Sequence, residues 1–315
     1  MPSMPTILVS CLALSLGATP GRSEPPSITS AAETCTVPEG WAEIANLQPR
    51  YIVFGELHGT QESPAFVGDL ACALASQDQR VLLAIEFDSG ADAALQDAWR
   101  LPANQFAQAL QKSGWKGRTD GVASEAMFAM LVRLHRLKDA GRPIDVAAFN
   151  GPRDESQRKR FAHLAGQGPH EAAQAENIHD AASSGSYDRV LVLVGGFHAE
   201  TVPYGEGAKS FDPMAARLAR TGRVVSLKMR FAAGSAWNCI AKPGRRFEPG
   251  QAIPKDAIEC GNHPAKSDVD LKRAPFMQLG TFPGEAPIAG FDGFFWLGSV
   301  HGSAPQVRAD PPEQR

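Results

Sequence analysis

The chain has no apolar run long enough to span a bilayer. The longest, Thr6 to Ala18 (TILVSCLALSLGA), covers about a dozen residues, against the ~20 that a spanning helix needs. Net charge is also scarce. A formal charge of -3 over 315 residues gives no global attraction to nucleic acid or an anionic membrane, and neither basic runs nor aromatic platforms suggest a nucleic-acid partner. There is no Walker loop and no dinucleotide glycine fingerprint, which argues against nucleotide chemistry. The absence of a Gly-x-Ser-x-Gly elbow argues against a serine hydrolase of that type. No Cys-x-x-Cys pair exists among the five cysteines, so a thiolate zinc site is not expected.

The short apolar run matches the h-region of a signal peptide, which is expected to end near residue 23. A polar linker is then expected over residues 24–47. Leu8-Val9-Ser10-Cys11 resembles a lipoprotein cleavage box, but little apolar sequence precedes Cys11, so periplasmic or secreted localisation is favoured over lipid anchoring. The other four cysteines form an even set, as in exported chains with disulfides. Cys239 and Cys260 bracket a loop rich in Pro and Gly, and a bridge would close it; Cys35 would then staple the N-terminal segment to the helix carrying Cys72.

Five segments read as buried strands: Tyr51–Phe54, Val81–Phe87, Ile144–Phe149, Val190–Val194 and Val224–Phe231. Most are continuous apolar runs, as in a parallel sheet covered on both faces. Helical periodicity lies between them, at Phe66–Leu74, Ala93–Leu101, Met127–Leu137 and Ala172–Ala182. Asp212-Pro213 is expected to open a further helix through Ala219, with Asp as cap and Pro in first position. The expected fold is therefore α/β, a mostly parallel sheet flanked by helices, with its core over residues 48–231. Beyond Ala232 helical periodicity disappears. Residues 232–305 read as a β-rich C-terminal extension of the same domain, with strands at Met277–Phe282 and Phe291–Leu297, and residues 306–315 as a disordered tail.

Polar residues cluster at the C-terminal ends of the strands. The first strand runs into Gly55-Glu56-Leu57-His58, the second ends Ile85-Glu86-Phe87, the third Phe149-Asn150 ahead of Arg153, and the fourth Gly195-Gly196-Phe197-His198. Open parallel sheets bind ligands in the crevice outside those ends. Glu86 is the most informative, because an ionised carboxylate in an apolar run needs a partner or a metal. Two chemistries follow. His58, Glu86 and His198 can hold a divalent metal, with Glu56 as general base or fourth ligand. Without metal, Glu56, His58, Glu86 and His198 can act as acid and base. Asn150, Arg153 and Asn177 are expected in supporting roles.

The two Gly-x-x-His turns with an intervening strand-end Glu resemble the Tiki/TraB, ChaN-like and erythromycin-esterase-like superfamily. Ala175-Glu176-Asn177-Ile178 is similar to a segment that precedes the second His turn in these proteins, although Gln174 stands where they carry Met. Gly55-Glu56-Leu57-His58 and the Val202-Pro203 that follows His198 are closest to the ChaN-like branch. The resemblance spans roughly residues 48–230. It implies a Glu/His site, but its branches differ in activity: haem binding in iron uptake at the bacterial envelope, metal-dependent proteolysis, or macrolide lactone hydrolysis. A haem-binding alternative therefore stands beside the hydrolase. Its candidate ligands are His58, His198 and Tyr204, with Phe197, Phe211 and Trp237 as packing surface. The expected partner is a small-molecule or peptide substrate.

Overall fold

A computed structural model describes residues 35–115, 117–245, 254–266 and 269–306. The expected signal peptide lies outside the described residues, as do the first part of the linker and nearly all of the tail.

Nine strands are present among the described residues: β1 (Tyr51–Glu56), β2 (Val81–Asp88), β3 (Ile144–Asn150), β4 (Arg189–Gly195), β5 (Val224–Arg230), β6 (Ala233–Ala241), β7 (Ile258–Lys266), β8 (Phe276–Leu279) and β9 (Gly293–Trp296). Seven form one sheet in the order β3-β2-β4-β1-β5-β9-β8. All neighbours in it run parallel except β8, which pairs antiparallel with β9. The eight α-helices among the described residues are α1 (Trp41–Asn46), α2 (Glu62–Ser76), α3 (Asp92–Trp99), α4 (Ala103–Leu110), α5 (Glu125–Asp139), α6 (Glu155–Phe161), α7 (Gly168–Ser183) and α8 (Met214–Leu218). This is the expected α/β architecture with a β-rich C-terminal extension, and β9 continues the parallel sheet beyond β5.

The central strands are apolar throughout because both faces are covered. Every residue of β1 is buried. Ile52 and Phe54 face α2 and α5, while Tyr51 and Val53 face α7 and α8. In β4, Leu191 and Leu193 join the first layer and Val190, Val192 and Val194 the second. The edge strand β3 is sealed by α3. Asp92 accepts a hydrogen bond from the Ala148 N–H at 2.7 Å, Gln96 donates to the Val146 carbonyl at 2.7 Å, and the Trp99 indole donates to that of Ile144 at 3.3 Å. An open edge would expose those groups to intermolecular pairing.

Two details depart from the sequence reading. Helix α1 lies within the segment read as a linker, and its Trp41 and Ile44 are buried; just before it, Glu39 bridges to Phe276 of β8. In the extension, β6 and β7 form a separate antiparallel hairpin. Gly234, Gly261 and Pro264 interrupt its alternation, so no strand period shows in the sequence. The disulfides are Cys35–Cys72 and Cys239–Cys260, and the second joins residues directly opposite each other in the hairpin.

One buried histidine makes the fold sensitive to acid. His135 on α5 is fully buried and stacks on Phe106 at 4.0 Å between ring centroids. Its Nε2 meets the Trp99 carbonyl at 3.1 Å, and its Nδ1 has no partner. Burial, only partly offset by that carbonyl, lowers its pKa below the ordinary histidine value. The unfolded chain therefore takes up the proton first, and stability is lost as pH falls through the ordinary value. Urea unfolding at pH 7.5 and pH 5.5 should show this loss in the wild type and a smaller one in His135→Phe. Equal losses in both proteins would remove His135 as the cause.

Candidate functional site

The site lies where three adjacent strands, β2, β4 and β1, end. Glu56 is the last residue of β1, and His58 follows two positions later. On β2, the pairing with β3 slips between Ile85 and Asp88, so three steps on β2 match two on β3. Such a bulge re-aims side chains. Ile85 and Phe87 both pack into the layer under α2 and α5, while the Glu86 carboxylate reaches the Gly195 N–H at the end of β4 at 2.7 Å.

The glycine of each Gly-x-x-His turn makes room for the other turn. A Cβ on Gly195 would lie 2.9 Å from His58 Nε2, and one on Gly55 would lie 2.7 Å from Ala199 Cβ. Only glycine permits both approaches. Two turns separated by 140 positions therefore interlock through the residues that define them.

The polar groups form a chain of alternating acids and imidazoles. Glu56 Oε1 lies 2.9 Å from His58 Nδ1, and His58 Nε2 lies 3.1 Å from Glu86 Oε2. The other Glu86 oxygen lies 3.5 Å from His198 Nε2. His198 Nδ1 lies 2.8 and 2.9 Å from the two oxygens of Glu171. Each imidazole thus has its Nδ1 engaged by its own carboxylate, and both turn Nε2 to Glu86. The three carboxylates are buried and the two rings are partly open. Above them is a crevice of about 360 Å³, walled by Leu57, Gly196, Phe197, Asp120 and, from the hairpin, Asn238 and Cys239.

The electrostatics follow from that chain. Burial alone would lower both imidazoles; Glu86 and Glu56 outweigh it at His58 and hold its pKa well above the ordinary value. At His198 burial is outweighed by Glu171 and then Glu86, and the pKa is raised. Burial would raise Glu86, but His58, His198 and the Gly195 N–H hold its carboxyl at about 2. The ionised Glu86 thus needs positive charge at the Nε2 atoms it faces, which imidazolium protons or a divalent cation can supply.

Glu171 is the member that sequence reasoning missed. It is fully buried near the start of α7 and also accepts from the Met214 N–H at 2.8 Å. That bond corrects the cap expected of Asp212. The helix begins at Met214 with Pro213 flanking it, its first turn is held by Glu171, and Asp212 pairs with Arg220. The signal for Glu171 was present, since it shares a helix face with Ala175, Ile178 and Ala182 at spacings of four, seven and eleven.

The other expected residues are placed as follows. Asn150 accepts from Gln174 at 2.9 Å, and the same Gln174 amide lies 3.1 Å from His170 Nε2. Asn177 donates to the Phe149 and Gly151 carbonyls at 3.1 and 2.9 Å, fixing the turn after β3. Arg153 pairs with Asp180 and Glu176 at a partly exposed position and lines a different pocket from His58 and His198. Tyr204 packs edge-on against Phe197 with ring centroids 4.9 Å apart, and Phe211 completes that cluster. Trp237 donates its indole N–H to the Thr119 carbonyl at 2.9 Å.

Donor atoms converge as a divalent cation needs at one cluster, which shares His198 with the expected set but not His58 or Glu86. Glu56 Oε2 is buried without a hydrogen-bond partner beside His58. Among the described residues, the side chains whose ligand atoms converge within 4.8 Å are His170, Glu171 and His198. Glu171 already serves His198 and the Met214 N–H, which makes it an orienting carboxylate for a histidine ligand.

No protein-family model matches the chain, and no curated protein matches it in sequence. Solved structures do match in fold. A His-to-Asn mutant of the erythromycin esterase EreC in its open conformation aligns at a TM-score of 0.52 and 11% identity, over 82% of this chain and 93% of its own. A Bacillus cereus protein aligns at 0.52 and 11%, over 84% and 92%. A protein described as acting in succinoglycan biosynthesis aligns at 0.51 and 10%, over 82% and 90%. The chain therefore shares its fold with these solved structures, an erythromycin esterase among them. Among the described residues, no helix is long and apolar enough to cross a membrane.

Proposed function

We propose that this chain is an exported hydrolase that cleaves an ester or amide in a small-molecule or peptide substrate by acid–base chemistry at His58 and His198. The observation that carries the reading is the pair of imidazoles held at Nδ1 by Glu56 and Glu171 and turned at Nε2 to the shared Glu86. An Nδ1–H bound to a carboxylate fixes the tautomer and leaves Nε2 to exchange protons. In the reaction, His198, whose pKa is raised less than that of His58, is the ring that turns neutral and takes a proton from water as the water oxygen bonds to the substrate carbonyl carbon. The other, as imidazolium, gives its proton to the leaving oxygen or nitrogen as the carbon–heteroatom bond breaks. Glu86 stabilises whichever ring is charged. A fold shared with an erythromycin esterase supports hydrolysis, and the two disulfides support export.

A divalent cation would be held by His58, Glu86 and His198, where it would polarise a carbonyl and acidify water. Haem is the weaker reading, because the Nε2 atoms of both candidate axial histidines open onto the Glu86 carboxylate rather than onto an apolar pocket.

The test is one purified sample assayed against a panel of activated esters, lactones and amides, with metal analysis and a haem titration alongside. Wild-type turnover that is lost in both His58→Ala and His198→Ala is expected. Turnover unchanged in both variants would sink the reading. Zn, Mn, Co or Ca at near one equivalent, released in the same two variants, would assign the metal form. A Soret shift on haem addition would favour haem binding over hydrolysis.

A further inference from the structure

A second pocket lies one strand away from Glu56, at the ends of β5 and β9. Lys228 and Arg230 are two apart on β5 and so share a face of the sheet. Lys228 sits directly opposite Gly55 of β1. The two cations line a cavity of about 140 Å³ with Thr281 and the rings of Phe282, Phe291 and Phe294. Phe282 and Phe294 are buried. The loop carrying Phe291 is tied to the segment after His198, with the Thr201 N–H donating to the Gly290 carbonyl at 2.9 Å.

The charges in this pocket are unevenly matched. Arg230 pairs with Glu285 and lies 4.9 Å from the centroid of the Phe282 ring. Lys228 is half-buried with its Nζ 5.4 Å from the centroid of Phe291. Among the described residues its ammonium makes no hydrogen bond, and no carboxylate lies within 4.0 Å of it; Glu200, whose carboxyl feels its charge, stands beyond that distance. A half-buried ammonium with no carboxylate in contact, beside a guanidinium whose fork is only partly used and a threonine, is an incomplete anion site. The aromatic walls add a requirement that inorganic anions do not meet, since stacking and apolar contact reward a carbon body attached to the charge.

We infer that Lys228, Arg230 and Thr281 form a binding site for a carboxylate carried on an apolar or aromatic body, separate from the histidine pair. The inference does not depend on the hydrolase reading, because it is tested by binding without turnover. Benzoate and inorganic phosphate are titrated by calorimetry into the wild-type chain, Lys228→Met and Lys228→Arg, with thermal melting as the check on folding. Benzoate should bind saturably to the wild type, at least tenfold more weakly to Lys228→Met, and close to wild-type strength to Lys228→Arg. No saturable benzoate binding, or equal binding by a folded Lys228→Met, would overturn the site. Phosphate binding as tightly as benzoate, with both lost in Lys228→Met, would overturn the carboxylate-on-apolar-body class.

Discussion

Glu86→Gln is expected to lower turnover by about 10²- to 10⁴-fold, the range associated with loss of acid–base assistance, while the sheet stays folded. Glutamine has the shape of glutamate and can still accept from the Gly195 N–H. It carries no charge, so it cannot stabilise an imidazolium at either Nε2, and with its oxygen kept on the Gly195 N–H its amide N–H₂ faces His198 Nε2. Both imidazoles should then fall towards ordinary or lower values, because burial is no longer opposed by the carboxylate they share. The same substitution has a signature in stability. Glu86 is held at about 2 in the folded chain, below the ordinary carboxylate value of about 4.3. Its stabilising contribution is therefore present above the ordinary value and lost as pH falls towards about 2. The stability gap between wild type and Glu86→Gln should narrow as acid is added. A gap that stays constant from pH 6 to pH 3 would contradict the assigned ionisation, and full turnover in the variant would remove Glu86 from the reaction.

The fold was legible where one physical signal dominates. The five buried strands appear within two residues of their expected bounds because a parallel strand covered on both faces has to be a short unbroken apolar run. Glu86 was legible for the converse reason, since a carboxylate inside such a run has few purposes. The interlock of Gly55 with Ala199 and of Gly195 with His58 was only half legible. The glycines announced a close approach, but not what would approach. The hairpin β6–β7 was hidden by Gly234, Gly261 and Pro264, and it is stapled by Cys239–Cys260 rather than by a hydrophobic face of its own. Glu171 was hidden differently. Glutamate is a good helix former, so an acid near the start of an Ala-rich helix looks ordinary unless the apolar face is traced through it. Its partners, His198 and Met214, lie 27 and 43 positions away, and no local pattern links them.

That hidden residue yields the second large effect. Glu171→Ala leaves the Met214 N–H and His198 Nδ1 without their acceptor in a fully buried position. Breaking such a buried pair costs about 3–5 kcal/mol, which should appear as a lowered urea midpoint. Glu171→Gln separates position from packing. Its volume is nearly unchanged, but it offers one acceptor oxygen where the wild type offers two. If that oxygen keeps the Met214 N–H, the amide N–H₂ takes the place of Oε1, the nearer of the two oxygens to His198 Nδ1, and favours a ring that accepts there rather than donates. The ring proton moves to Nε2, towards Glu86, and the neutral ring no longer has a free Nε2 lone pair with which to take a proton from water. The expected result is a loss of turnover near that of His198→Ala with a much smaller loss of stability than in Glu171→Ala. Retained turnover in a folded Glu171→Gln would show that the carboxylate serves the start of α8 alone and does not orient His198.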